Sequence, residues 1–276
     1  MRAGEIKKFQ NAILGSYTKH KRDFPWRNTS NPYAILVSEF MLQQTQTSRV
    51  LTKYEPFIRA FPNFHVLASA PFSHVLSHWQ GLGYNRRALM LQKTAHIVMR
   101  EFGGVLPSDS ALLGTLPGIG NATAAAICAF AFNMPAVCIE TNIRAVFLHF
   151  FFAKKEKVRD GQILPLIQQT LDTKNPRTWY YALMDYGVLL KKDYPRINLQ
   201  SAHYHKQSAF KNSNRQARGQ ILKLLLKNGP STLSFLYKAL NINPSRFKHI
   251  LCDMQKDGFL VRKGRHIHLA STKTMC

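Results

Sequence analysis

Leu116-Pro117-Gly118-Ile119-Gly120-Asn121-Ala122-Thr123-Ala124-Ala125-Ala126-Ile127 decides the fold of this chain. Its first five residues are too tight and too glycine-rich to be helical, while Ser110 to Thr115 before them and Ala122 to Phe132 after them read as helix. The pattern is a helix-hairpin-helix. Gly118 and Gly120 allow backbone angles and close approaches that a side chain forbids, so the hairpin N–H groups and the following helix N-terminus can meet a phosphate. Such a hairpin can also be a plain turn between packed helices, and by itself it leaves both readings open.

Composition favours the phosphate. Lys plus Arg number 38 against 14 Asp plus Glu, a formal net charge of +24, and such a surface seeks polyanions. A membrane surface competes for that charge, but no apolar run approaches the roughly 20 residues needed to span a bilayer. The N-terminal MRAGEIKKFQNAIL lacks the layout of a secretory signal. The chain is therefore expected inside the cell with DNA, in the cytoplasm and nucleoid of a prokaryote or in a nucleus. The cysteines Cys128, Cys138, Cys252 and Cys276 fit a reducing compartment.

A polar, basic break near residues 205–215 separates successive helices from a tail with its own order. Ile221, Leu222 and Leu225 mark one tail helix, a second starts after Pro230-Ser231, and a third opens at Pro244-Ser245. Phe259 to Arg262 and His266 to Leu269 then alternate as strands around Lys263-Gly264-Arg265. The pattern is that of a winged helix. Arg246, Lys248 and His249 on its third helix and Arg262, Lys263 and Arg265 on the wing are candidates for phosphate or groove contacts, a charged face for a protein partner being the alternative.

In NPYAILVSEFMLQQTQ (Asn31 to Gln46), Tyr33, Leu36, Val37 and Phe40 fall at i, i+3, i+4 and i+7, predicting a helix with one buried face. Glu39 has Ile35, Leu36 and Leu42 as helical neighbours, and apolar surroundings raise a carboxyl pKa until it can donate a proton near neutrality. Glu140 opens the segment TNIRAVFLHFFF, where the helix dipole favours an anion. One carboxylic acid beside one carboxylate suits a reaction that protonates a leaving group while positive charge develops nearby. Each could equally be an ordinary helix residue. Asn142 is counted with them as a catalytic candidate.

From about Phe24 to Gln207 the chain resembles the helix-hairpin-helix DNA glycosylases, and within them the MutY-type adenine glycosylases. The matching strings are FPWR (Phe24 to Arg27), NPYAILVSEFMLQQTQ, WQGLGYNRRALMLQK (Trp79 to Lys93), LPGIGNATAAAI and MDYG (Met184 to Gly187). The resemblance implies a mostly α, two-lobed glycosylase fold over residues 1–210. A six-helix-barrel-like lobe would span about 28–140 and a second lobe 1–27 plus 141–210, with the small winged-helix-like domain over 211–276. It implies a base flipped out of duplex DNA and hydrolysed from its sugar in base excision repair, adenine opposite 8-oxoguanine or G leading. By the same resemblance Glu39 is the general acid, Glu140 stands at the place of the family's aspartate, and Trp26 and Arg27 line the base pocket. Gln44 wedges into the duplex and Tyr84 packs against the opposite base. Gln43, Thr45, Arg86, the hairpin residues Leu116, Pro117, Gly118, Ile119 and Gly120, and Thr123 complete the DNA contacts.

The chain departs from the family at several places. Ala122 stands where bifunctional relatives have a lysine nucleophile and adenine glycosylases a hydroxyl, and Glu140 is one methylene longer than Asp, so the small Ala122 is expected to compensate for it. The family's four cluster cysteines correspond to Lys191, Asn198, Ser201 and Gln207, which predicts a loop without an iron–sulfur cluster or other metal. Lys191, Lys192, Arg196 and Lys206 would still face DNA there. No cofactor is then required beyond a monovalent cation at the hairpin, and a monomer is expected. The roughly 65-residue tail is too short for the Nudix-like domain that reads 8-oxoguanine in relatives. Uracil, thymine or hypoxanthine as the excised base, a lesion-binding protein with little catalysis, and a lyase or nuclease stay open; a winged-helix transcription factor leaves most of the chain unexplained.

Overall fold

The computed structural model describes residues 1–153 and 155–270. Cys276 lies outside the described residues. In chain order the helices are α1 (Ala3–His20), α2 (Pro32–Leu42), α3 (Thr47–Ala60), α4 (Phe64–Ser69), α5 (Phe72–Trp79) and α6 (Arg86–Glu101). Then follow α7 (Ser110–Thr115), α8 (Asn121–Phe132), α9 (Thr141–Phe151), α10 (Asp160–Thr170) and α11 (Pro176–Asp193). The tail holds α12 (Asn214–Asn228), β1 (Ser231–Thr232), α13 (Leu233–Leu240), α14 (Pro244–Lys256), β2 (Leu260–Lys263) and β3 (His266–Leu269).

Two compact units divide these elements: Met1–Glu39 with Pro107–Lys206, and Phe40–Leu106 with Gln207–Cys276. In the first, α11 packs along α9 and α1, with the Phe9 ring 5.4 Å from Phe147 and 5.9 Å from Trp179. Helix α8 is buried from Ala124 through Ala131 because its alanines let neighbouring backbones approach on all sides. Residues Tyr33 to Ser38 of α2 are all buried, so this helix is enclosed around its circumference and not on one face, as its apolar spacing predicts. A continuous apolar run satisfies the one-face pattern as a subset, and the pattern cannot tell the two cases apart.

In the second unit, Gln92 of α6 donates to Leu67 O and Ala70 O at 3.1 and 2.7 Å, tying α6 to the end of α4. The tail is a winged helix: three helices and an antiparallel sheet of order β1-β3-β2. Arg262 pairs with Ile267 across the wing, and Gly264 takes φ +60° in its turn. The short β1 strand, pairing Ser231 with Ile267, is absent from the sequence reading because two residues carry no alternation. Contacts place the tail in the same unit as α3–α6, whereas sequence analysis sets 211–276 apart as a domain. Phe259 is buried with its ring 6.0 Å from Phe72, and Asp257 bridges Arg86 at 3.3 Å and Arg218 at 2.5 Å.

Candidate active site

The first unit assembles the paired carboxylates. Glu39 is half-buried, while the six α2 residues immediately before it, Tyr33 to Ser38, are buried. Burial, with a smaller contribution from the negative charge of Glu140, pushes its carboxyl up to about 7. Glu140 is the N-cap of α9. Its Oε1 accepts from Asn142 N at 2.8 Å and Ile143 N at 2.9 Å, and its Oε2 accepts from Asn142 Nδ2 at 3.0 Å. The carboxylate thus caps its own helix start, held by two backbone N–H groups and the Asn142 side-chain amide. Asn142 Oδ1 is buried without a protein donor.

Two residues outside the sequence candidates hold this turn in place. Gly187 lies so close to α9 that a Cβ there would sit 2.3 Å from Asn142 O, so only glycine permits the approach of α11. Cys138, two residues before Glu140, is buried; its N–H donates to Tyr180 Oη at 3.0 Å, and that hydroxyl donates to Ala136 O at 2.5 Å. Burial, with the charges of Glu39 and Glu140, pushes the Cys138 thiol strongly up. Gly187 stands in the quoted MDYG string, but nothing local announces its role, because its partner is 45 residues upstream.

Arg27 is engaged more deeply than a pocket-lining position implies. Its Nη1 and Nη2 bind the two oxygens of Asp185 at 2.8 and 2.9 Å, and its guanidinium lies 4.4 Å over the Tyr181 ring. Arg22 adds Nε to Asp185 at 2.6 Å. Burial would raise the Asp185 carboxyl, but the hydrogen bonds from Arg27 and Arg22 outweigh it and hold it below the usual carboxylate range. Trp26 is buried and stacks on Phe24 at 5.0 Å. Lys191 on α11 is a half-buried amine whose pKa burial lowers, helped by Arg22 and opposed by Glu140.

The hairpin has its predicted form. Leu116 and Ile119 are buried anchors, Ile119 N donates to Leu116 O at 3.1 Å, and Gly118 takes φ +82°. Gly118, Gly120 and Ala122 are exposed, while Pro117 and Thr123 are half-buried. The backbone, not the two apolar side chains, is what this hairpin presents.

The second unit gathers the other candidates around a buried arginine that the sequence reading passes over. Arg87 Nη1 donates to Phe40 O, Met41 O and Gln43 O at 2.7, 2.8 and 2.5 Å. Its Nη2 donates to Thr45 Oγ1, Leu82 O and Gly83 O at 2.8, 3.3 and 3.1 Å. One cation thus ties the exit of α2 to the Gly81–Asn85 loop, and burial lowers its pKa to about 10, leaving it charged near neutrality. Gln44, exposed at φ +53°, and Tyr84, half-buried at φ +46°, are held in the left-handed region, which ordinary residues occupy only under constraint. The Thr45 hydroxyl is engaged by Arg87 Nη2 and Leu82 O, and the residue is half-buried. Gln43 is half-buried beside it.

Arg246 is likewise occupied within the tail, its Nε on Asn214 Oδ1 at 2.8 Å and its Nη2 on Asn212 O at 2.7 Å, and Arg86 pairs with Asp257. Lys248, Lys263 and Arg265 are exposed. At the places of the family's cluster cysteines, Lys191, Asn198, Ser201 and Gln207 offer no thiolate, so they do not fit an iron–sulfur cluster. Val158 bridges Ser201 and exchanges backbone hydrogen bonds with Gln200 and Ala202 at 2.8 and 2.9 Å, which pins this loop by main-chain pairing. Among the described residues no group of three or more His, Cys, Asp or Glu could hold a metal ion. No helix among them is long and apolar enough to cross a membrane.

Residues 37–162 match the family model described as HhH-GPD superfamily base excision DNA repair protein. An adenine DNA glycosylase of Mycolicibacterium smegmatis is 33% identical over 231 residues, 77% of this chain and 78% of that protein. One from Buchnera aphidicola subsp. Baizongia pistaciae is 35% identical over 197 residues, 69% of this chain and 55% of that protein. The chain thus spans about half the length of several curated relatives it matches. Among solved structures, a thermostable thymine-DNA glycosylase superposes with a TM-score of 0.62 at 27% identity, covering 67% of this chain and 87% of that one. An endonuclease III–DNA complex shares the fold, at TM-score 0.57 and 16% identity.

Proposed function

The chain belongs to the HhH-GPD superfamily of base excision DNA repair proteins, and on that premise we propose that it is a monofunctional DNA glycosylase hydrolysing the bond between a flipped, mispaired adenine and its sugar. The observation that carries this reading is the pair of carboxylates in one unit: Glu39, pushed up to about 7, and Glu140, holding three N–H donors at a helix start. Glu39 in its protonated form donates to the ring nitrogen of the base, so that the leaving group departs neutral. Glu140 faces the positive charge that develops on the sugar and orients the attacking water, to which the buried Asn142 Oδ1 adds an acceptor. Adenine leads because the adenine glycosylase relatives span most of the chain; the thymine-DNA glycosylase likeness keeps thymine opposite G as the second reading.

DNA is the partner that fits the +24 charge and the exposed hairpin backbone at Gly118 and Gly120. A monovalent cation at that hairpin would be held by its backbone carbonyls and would bridge to a phosphate. Gln44 and Tyr84, strained and accessible, are the side chains for the gap left by the flipped base and for the opposite base. Lys248, Lys263 and Arg265 of the tail add phosphate contacts, as do Lys192, Arg196 and Lys206 of the cluster-free loop. The chain acts as a monomer with its DNA inside the cell.

Single-turnover cleavage of duplexes carrying A, U, T, hypoxanthine or 8-oxoguanine opposite G, C or 8-oxoguanine tests the proposal. Alkali-dependent cleavage at adenine, lost in Glu39→Gln, is expected. Strand cleavage without alkali, trapped by borohydride and lost in Lys191→Met, would replace it with a lyase, and binding without cleavage would replace it with a lesion-binding protein.

A further inference from the structure

The tail's first helix reaches back to the loop that carries Tyr84. Arg215, half-buried in the first turn of α12, donates from Nη1 to Tyr84 Oη at 2.6 Å, and Gln207 Nε2 donates to the same hydroxyl. A phenol oxygen has two acceptor lone pairs, so these donors fill both and leave only its own proton to give. The Arg215 guanidinium also lies 5.4 Å from the Tyr84 ring centroid, and its Nη2 holds Ser208 O at 2.6 Å. Tyr84 sits at φ +46° between Gly83 at φ +71° and Asn85, a backbone that costs energy unless its surroundings fix it. Arg87 fixes that loop from the α2 side through Leu82 O and Gly83 O, but it makes no hydrogen bond to the hydroxyl end of Tyr84. That end is fixed from the tail.

We infer that Arg215, with Gln207, is a positioning residue that sets the angle at which Tyr84 meets DNA, so that the C-terminal module governs discrimination of the base opposite the lesion without touching it. The inference rests on the glycosylase reading above. It gives the tail a role that its exposed lysines do not: a winged helix docked through Phe259 on Phe72 and Asp257 on Arg86, and braced internally by Arg218 on Asp257, becomes the rigid support from which α12 holds the loop.

The full-length chain is tested first without DNA. Backbone hydrogen exchange of the peptide covering Gly81–Asn85 should speed up about tenfold in Arg215→Ala and at least as much in Tyr84→Phe, which also removes the Gln207 bond, and no further in the double variant than in Tyr84→Phe, because the Arg215 bond is lost in both. In DNA, the ratio of single-turnover rates for adenine opposite 8-oxoguanine and opposite G should fall about tenfold in Arg215→Ala and recover in Arg215→Lys, which can still donate to the hydroxyl. Lys227→Ala, which removes a charge from the last turn of the same helix, should leave that ratio unchanged. Unaltered exchange in Arg215→Ala, or a ratio that drops equally in Lys227→Ala, overturns the inference. If the variants show the exchange effect yet the wild-type chain neither binds nor cleaves any duplex, the glycosylase reading beneath the inference is refuted.

Discussion

Glu39 should make the protein less stable at alkaline pH than a variant that lacks its charge. Its carboxyl is raised from 4.5 to about 7, first by burial and then by the negative charge of Glu140. A raised carboxyl means that the folded chain binds a proton the unfolded chain has released, so stability falls as pH climbs from about 4.5 to about 7 and then levels off. Ionising the carboxyl in this buried site therefore costs the folded chain about 3 kcal/mol. Glu39→Gln keeps the shape and removes the ionisation. It should therefore be about 3 kcal/mol more stable than wild type at pH 8.5, and the gap should shrink to below about 1 kcal/mol at pH 5. Urea unfolding at the two pH values reads this directly as a shift of roughly 1 M in midpoint at pH 8.5. In the same preparations base excision should vanish in the variant, and in wild type it should decline as pH rises through about 7, where the acid loses its proton. Equal stability at pH 8.5, or a gap that does not change with pH, would refute the claim that Glu39 is held protonated by desolvation.

Gly187→Ala drives a Cβ to 2.3 Å from Asn142 O, so it should destabilise the fold by about 3 kcal/mol and, by displacing the Glu140 cap, slow excision about 100-fold, measured by thermal unfolding and single-turnover cleavage. Arg87→Lys leaves several buried carbonyls without donors and should cost about 3 kcal/mol, with faster hydrogen exchange at both Phe40–Thr45 and Gly81–Asn85; a change at only one of these segments would refute the clamp. Replacing Lys248, Lys263 and Arg265 together by alanine should reduce the slope of log affinity against log salt by about three while leaving opposite-base preference intact, which filter binding at stepped salt would check.

The helix carrying Glu39, the two hairpin helices, the helix after Glu140 and the three tail helices are legible in the chain because they depend on neighbours within one or two turns. The hairpin helices appear within a residue of their expected limits, Asn121 replacing Ala122 at the start of α8; the first wing strand runs one residue later than expected, Leu260–Lys263, and the second, His266–Leu269, where alternation places it. Glu39 is legible for the same reason: its i−4, i−3 and i+3 positions are apolar, and desolvation follows from them. The charge of +24 and the absence of a thiolate at Lys191, Asn198, Ser201 and Gln207 are facts of composition and spacing. What the tertiary structure decided are contacts between residues far apart in the chain. Gly187 fits against Asn142, Asp185 gathers Arg22 and Arg27, Arg87 spans the α2 exit and the Tyr84 loop, and Arg215 reaches Tyr84 across 131 positions. The same long-range packing encloses α2 on all sides, engages the Thr45 hydroxyl, and draws the tail onto α5 and α6 through Phe72 and Asp257. Periodicity records which face of an element is apolar; which partner covers it, and which buried donor meets which carbonyl, is fixed only when the chain closes on itself.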